Sequence, residues 1–183
     1  QASGGAPAAQ ATVSGSGGDW WPGDTPFGVS ELRGGFGDHD SGVFGRNEED
    51  GQVVTIEARF APFTGGLWDK IWQPRPHLGV NINTEGDTSS LYFGLTWDWD
   101  IWRAAFVSFD LGGAVHDGEL TTSRLDRKEL GSRILFREAL ELGYVFGNRH
   151  ALSLRLDHIS NANLADQNEA LETIALIYGY RFP

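Results

Sequence analysis

The sequence predicts an all-β protein, an eight-stranded antiparallel up-and-down transmembrane β-barrel, and three observations carry that prediction. Apolar and polar residues alternate with period two. The alternating runs number eight and are regularly spaced between turn-forming residues. No segment carries a long helical period. An even number of evenly spaced runs is what an up-and-down barrel requires. The runs lie near 27–37, 53–61, 76–84, 89–101, 104–116, 133–146, 150–160 and 171–182. Between them stand Asp38-His39-Asp40-Ser41-Gly42, Glu85-Gly86-Asp87, Gly147-Asn148 and Asn161-Ala162-Asn163, all turn chemistry. Only Asp126-Arg127-Lys128-Glu129 suggests a short helical turn, inside a polar loop.

Taken in order, the runs sort their residues onto two faces. The first is the least regular. The second sets Val54, Ile56, Ala58 and Phe60 against Thr55, Glu57 and Arg59. The third sets Leu78, Val80 and Ile82 against Gly79, Asn81 and Asn83. In the fourth, Leu91, Phe93, Leu95, Trp97, Trp99 and Ile101 oppose Tyr92, Gly94, Thr96, Asp98 and Asp100. The sixth opposes Ile134, Phe136, Leu140, Leu142, Tyr144 and Phe146 to Arg133, Arg137, Glu141 and Gly143.

Alternation does not say which face is inside. A soluble lipid-binding barrel hides the apolar set, whereas a membrane barrel turns it outward and pairs charges across the lumen. Three features favour the membrane. The polar set holds small and pairable residues suited to a narrow lumen (Gly79, Glu57, Arg59, Arg137, Glu141). Aromatics gather at strand ends, as in Trp97/Trp99, Tyr144/Phe146 and Tyr178/Tyr180/Phe182, like an interface girdle. The last strand also closes on aromatics, Tyr180-Arg181-Phe182, with Pro183 after them.

Composition bounds the function. The chain has 183 residues, enough for one barrel and too few for two ordinary domains. Fourteen Lys and Arg against 25 Asp and Glu give a net charge of −11, so a nucleic-acid partner is not expected. With no Cys there is no disulfide, thiolate metal site or Cys nucleophile. Residues 1–26 are rich in Ala, Gly, Ser and Pro and form a flexible leader ahead of a barrel over 27–183. Gln1-Ala2-Ser3 is compatible with the terminus left by a removed signal peptide. Trp20-Trp21 suits either an interfacial anchor or a sticky point where leader meets barrel.

The seventh run carries Leu152, Leu154, Leu156, His158 and Ser160 on one face and Ser153, Arg155 and Asp157 on the other. His158 and Ser160 therefore continue the apolar row. The eighth carries Glu172, Ile174, Leu176, Tyr178, Tyr180 and Phe182, placing Glu172 on the same outward row at the strand's start. Ionisable groups facing hydrocarbon are costly, which makes them functional candidates. Cross-strand neighbours approach to about 5 Å, and Ser160 and His158 are about 6.5–7 Å apart along the strand. Ser160, His158 and Glu172 can thus form a nucleophile, base and orienting acid. The plainer alternative is a polar, wet barrel rim.

His158-Ile159-Ser160-Asn161-Ala162, followed by Glu172 on the next strand, resembles the lipid A 3-O-deacylases of Gram-negative outer membranes. In that family a His-x-Ser-Asn-Ala segment ends strand seven, and a Glu twelve positions after the Ser begins strand eight, the spacing seen here between 160 and 172. The match is specific over about 150–182 and generic over 76–149, and residues 1–50 share nothing with it. The resemblance implies an eight-stranded outer-membrane esterase whose triad faces the membrane exterior; if both termini are periplasmic, the 7–8 loop is extracellular and the triad lies on the outer-leaflet side. Ser160 is then the nucleophile, His158 the general base and Glu172 its orienting acid, with Asn161 helping to stabilise the oxyanion. Where the family often has Gly after the motif, this chain has Asn163, whose backbone N–H offers the same donor with less conformational freedom. The implied partner is lipid A or lipopolysaccharide; no cofactor is implied, and a homodimer or another membrane partner stays open.

The remaining ionisable residues have quieter readings. His39, His77, His116 and His150 are scattered without metal-ligand spacing, so no metal site is expected. Asp38, Asp40 and the Glu48-Glu49-Asp50 run are expected to be solvated loop charge, with cation bridging to lipopolysaccharide phosphates as the functional alternative. Asp157 faces away from His158 and is not used as the triad acid. Glu138 falls on the apolar row of the sixth run without an assigned role. The long acidic 38–52 and 117–132 loops keep a second function in view, a non-catalytic structural or assembly barrel that retains the triad residues.

Overall fold

The computed structural model describes residues 28–41 and 48–183. The 1–26 leader, Trp20-Trp21 included, lies outside them. Eight strands follow one another: β1 (Val29–Asp38), β2 (Gln52–Phe60), β3 (Arg75–Asn83), β4 (Ser90–Trp102), β5 (Ala105–His116), β6 (Ile134–Phe146), β7 (His150–Ser160) and β8 (Leu171–Arg181). Each pairs antiparallel with the next, and β1 pairs with β8 to close the barrel. The boundaries agree with the sequence periodicity to within two residues. A single helical turn, α1 (Leu67–Lys70), interrupts the β2–β3 connection. It is too short to leave a period in the sequence.

The alternation resolves with its apolar face outward. Phe93, Leu140, Leu154 and Leu176 are 54–58% exposed on the outer wall. Tyr92, Thr96, Arg137 and Glu57 point into the lumen at 1% or less. The soluble arrangement, with the apolar set inside, is therefore excluded. Closing eight strands leaves an interior just wide enough for side chains to fill, and here the filling is ionic. Arg33, Arg59, Arg75, Arg137, Arg155 and Arg181 interleave with Glu31, Glu57, Asp98, Asp110, Glu141 and Asp157. Glu57 alone accepts from Arg33, Arg59 and Arg155 at 3.1, 2.9 and 3.0 Å. Among the described residues six guanidinium groups meet six carboxylates, so the lumen is balanced and the excess of acid lies elsewhere in the chain.

Aromatic packing completes the lumen. The Tyr92 hydroxyl donates to Glu57 at 2.9 Å, and its ring lies 3.9 Å from the Arg137 guanidinium carbon. Gly79 on the neighbouring strand makes room, since a Cβ there would stand 2.4 Å from the Tyr92 ring. His77 is a lumen residue as well. Thr96 spends its hydroxyl proton on Asp110, so it accepts from His77 Nδ1 at 2.9 Å.

The two ends differ. Where β1 begins and β8 ends, the turns at 103–104 and 147–149 are short and the outer wall is aromatic. Phe146 stacks on His150, and His150 contacts Tyr178 and Tyr180. This is the girdle that the strand-end aromatics predict. The 61–74 connection lies against the same rim, with Trp97 Nε1 donating to the Ile71 carbonyl at 2.7 Å. At the opposite end are the long connections around 39–51, 84–89, 117–133 and 161–170, and with them the ends of β7 and β8 that carry the candidate site.

Candidate active site

The β7–β8 register places His158 directly opposite Glu172, and the β6–β7 register places Ser160 opposite Phe136. Strand alternation thus puts Ser160, His158 and Glu172 on the outer wall at the long-loop end. Their side chains meet. His158 Nδ1 lies 2.8 Å from Glu172 Oε1, and His158 Nε2 lies 3.1 Å from Ser160 Oγ. A carboxylate only accepts, so Nδ1 carries the proton. In the neutral imidazole Nε2 is then the acceptor, and the Ser160 hydroxyl donates to it. Glu172 is 1% exposed, covered by its neighbours, whereas His158 and Ser160 are half-buried and open to the outside. This geometry suits a buried orienting acid, a base and an accessible hydroxyl.

The loop after Ser160 is a tight turn. Leu164 N–H donates to the Asn161 carbonyl at 3.1 Å, and Ala162 and Asn163 both take positive φ, 53° and 61°. Positive φ at both central positions is the type I′ geometry, and Ala in that region costs about 1 kcal/mol. Strained backbone of this kind concentrates at functional sites. The backbone N–H groups of Ala162 and Asn163 have no hydrogen-bond acceptor among the described residues. The Asn163 side chain accepts from Asn168 at 3.0 Å.

Asn161 lies on the inward side of the strand end. It is 2% exposed and points away from Ser160's face. Its amide donates to the carbonyls of Leu130 and Gln167 at 2.9 and 2.5 Å, and its backbone N–H donates to Asn168 Oδ1 at 2.8 Å. In this arrangement every Asn161 donor is committed to joining the 117–133 and 161–170 loops. The signal was available in the sequence: Ser153, Arg155, Asp157, Ile159 and Asn161 share the inward parity. Gly131 permits the same junction, because a Cβ there would lie 1.9 Å from the Gln167 carbonyl and its φ is +70°.

An open groove of about 440 Å³ lies beside Ser160 on the outer wall. Gly113, Ile134, Phe136, Asn161 and Leu164 line it, mostly with apolar atoms.

The acidic loops also differ from expectation. Asp40 and Glu49 are not solvated. Glu49 is 4% exposed; it accepts from His39 at 3.0 Å, from the Thr88 backbone and hydroxyl at 3.0 and 2.9 Å, and from the Lys128 backbone at 3.1 Å. Burial pushes the Glu49 carboxyl up, but the bonds from His39, Lys128 and Thr88 prevail and hold it below its ordinary value. Asp40 pairs with the fully buried Lys128 at 3.1 Å. Together they cap the lumen. The cap touches the site through Ser41, whose backbone N–H donates to the Glu172 carbonyl at 2.8 Å. Nothing in the acidic run distinguishes Glu49 from its neighbours, so this contact was not legible in the sequence. Among the described residues no cluster of His, Asp and Glu has the makings of a metal site.

Comparison with known proteins identifies the family. Residues 55–181 match the family model described as lipid A 3-O-deacylase (PagL). The chain is 29% identical over 127 residues to lipid A deacylase PagL of Bordetella bronchiseptica, covering 64% of this chain and 67% of that one. It is 30% identical over 73 residues to lipid A deacylase PagL of Pseudomonas aeruginosa, covering 40% of each. The crystal structure of the outer membrane enzyme PagL superposes with a TM-score of 0.63 at 18% identity, covering 84% of this chain and all of that one, a likeness of fold. The chain therefore belongs to the lipid A 3-O-deacylase family, hydrolases of an ester-linked acyl chain of lipid A.

Proposed function

We propose that the protein is an outer-membrane esterase that removes the 3-O-linked acyl chain of lipid A through a lipid-facing Ser160, His158 and Glu172 triad. The observation that carries this reading is the continuous hydrogen-bonded chain from Glu172 through His158 to Ser160, at 2.8 and 3.1 Å, on the apolar outer wall. An ester buried among acyl chains at headgroup depth meets such a site without leaving the bilayer. With the aromatic-girdled, short-turn end in the periplasm, the triad faces the outer leaflet, where lipopolysaccharide resides.

Ser160 Oγ attacks the ester carbonyl as His158 Nε2 takes its proton. Glu172 holds the Nδ1–H tautomer and stabilises the imidazolium. The tetrahedral oxyanion forms beside the turn that follows Ser160, where the N–H groups of Ala162 and Asn163, without an acceptor among the described residues, are the available donors. One such donor is typically worth about 3–4 kcal/mol. The imidazolium returns its proton to the sugar oxygen as the C–O bond breaks. Water activated by His158 then releases the acyl group from Ser160. The apolar groove beside Ser160 suits an acyl chain of the substrate. The balanced lumen leaves the −11 charge outside the barrel interior, which suits cation-mediated approach to an anionic lipid better than direct attraction.

The test is mass spectrometry of lipid A from outer membranes carrying wild type, Ser160→Ala, His158→Ala or Glu172→Ala. Loss of the 3-O deacylated product in the variants is expected. Deacylation undiminished in all three would remove the triad from the mechanism. Complete absence of fatty-acid release by the wild type would favour the non-catalytic barrel.

A further inference from the structure

Glu138 is an acid where the outer wall of β6 is otherwise apolar. It is exposed and stands between Phe136 and Leu140, which are 51% and 56% exposed. The register runs Leu111, Glu138, His158, Glu172 across β5 to β8 at a single level. His158 therefore has a carboxylate on each side, and the two differ in kind. Glu172 is buried and bonded to Nδ1. Glu138 has no hydrogen bond or ion pair among the described residues, yet it is near enough to act on the imidazole electrostatically. It stands level with His158, two residues farther along the wall than the Phe136–Ser160 pair, toward the hydrocarbon, where an uncompensated charge is most costly.

We infer that Glu138 is a positioning residue for the base, its carboxylate balancing the positive charge that His158 acquires on taking the Ser160 proton. The inference rests on the triad reading. When Nδ1–H is bonded to Glu172 and Nε2 accepts from Ser160, the imidazole carries no charge and Glu138 gains little from it. At the transition state the imidazolium forms between the two carboxylates, and the attraction appears only then. An interaction made only in the transition state raises kcat and leaves KM alone. The other groups near the ring do not compete for this role. Asp157 points inward to Arg137, Leu111 is apolar, and Phe136 faces Ser160.

The test compares Glu138→Gln and Glu138→Asp with wild type, using lipopolysaccharide and a headgroup-free p-nitrophenyl ester in detergent micelles. Heat-modifiable gel migration verifies the folded barrel. The expected result is a kcat about 10-fold lower for Gln with both substrates, unchanged KM, and recovery of most activity by Asp, which keeps the charge. Three outcomes would overturn the role: full kcat in Glu138→Gln, equal losses in Gln and Asp, or a KM rise for lipopolysaccharide alone, which would make Glu138 a substrate contact. Ser160→Ala in the same assay separates the two readings. If it retains activity, the triad falls and this role with it. If it is inactive while Glu138→Gln is unimpaired, only the role of Glu138 falls.

Discussion

Ser160, His158 and Glu172 occupy a small patch where three side chains with separate duties meet within 3.1 Å. Glu172→Gln keeps shape but removes the charge that stabilises the imidazolium. It is expected to lower kcat on lipopolysaccharide by orders of magnitude with little change in KM, measured by released fatty acid. Asn161 acts one step away. Asn161→Ala leaves the Leu130 and Gln167 carbonyls without their donor, which costs about 1–3 kcal/mol and loosens the turn after Ser160. Urea unfolding in detergent should show the lost stability, and kcat should fall with it. An Asn161→Ala variant of full stability and activity would contradict the anchoring role. The triad was legible because strand parity and the 158, 160, 172 spacing are local. The destination of Asn161 was not, because its acceptors come from other loops.

At the scale of elements, the long connections form a structure of their own. Glu49 gathers His39, Thr88 and Lys128 over one end of the lumen, and Asp40 holds the Lys128 ammonium. Because the Glu49 carboxyl is held below its ordinary value of 4.5, it contributes stability that is fully present above that value. The contribution is lost as pH falls through the lower folded value. Limited proteolysis of the 117–133 loop should therefore accelerate on acidification below about pH 4.5, a carboxylate's ordinary range. Glu49→Gln should make cleavage fast at neutral pH and flatten that dependence. Alternating runs announced the strands, but the acidic loop carried no such signal. Its charges are buried by contacts between segments some 40 and 80 positions apart.

For the whole molecule, the balance between lumen and outer wall governs stability. Glu57 accepts from three arginines, and its removal strands charges that cannot reach water. Glu57→Ala is expected to destabilise the barrel by about 3–5 kcal/mol, as removal of one partner from a buried ionic set does; thermal melting in detergent measures it. On the outer wall, Leu154 lies mid-strand and 57% exposed. Leu154→Lys should cost about 2–4 kcal/mol in folding into lipid vesicles, and much less in a position near either rim. Equal effects at mid-strand and rim would argue against a bilayer around this belt.

What the sequence determined by itself is relative placement: eight strands, the residues that share a face on each, and the row on which His158, Ser160 and Glu172 stand. Period-two alternation encodes this locally. Alternation is unchanged when a sheet is turned inside out, however, so only closure of β1 on β8 decided that the charges fill the lumen and the aliphatic rows face outward. Tertiary structure likewise decided the fates of Asn161, Glu49 and Asp40, whose partners lie on other segments. It also set Glu138 beside His158, since register between strands depends on hydrogen bonding and turn geometry across the whole sheet and not on the pattern within either strand.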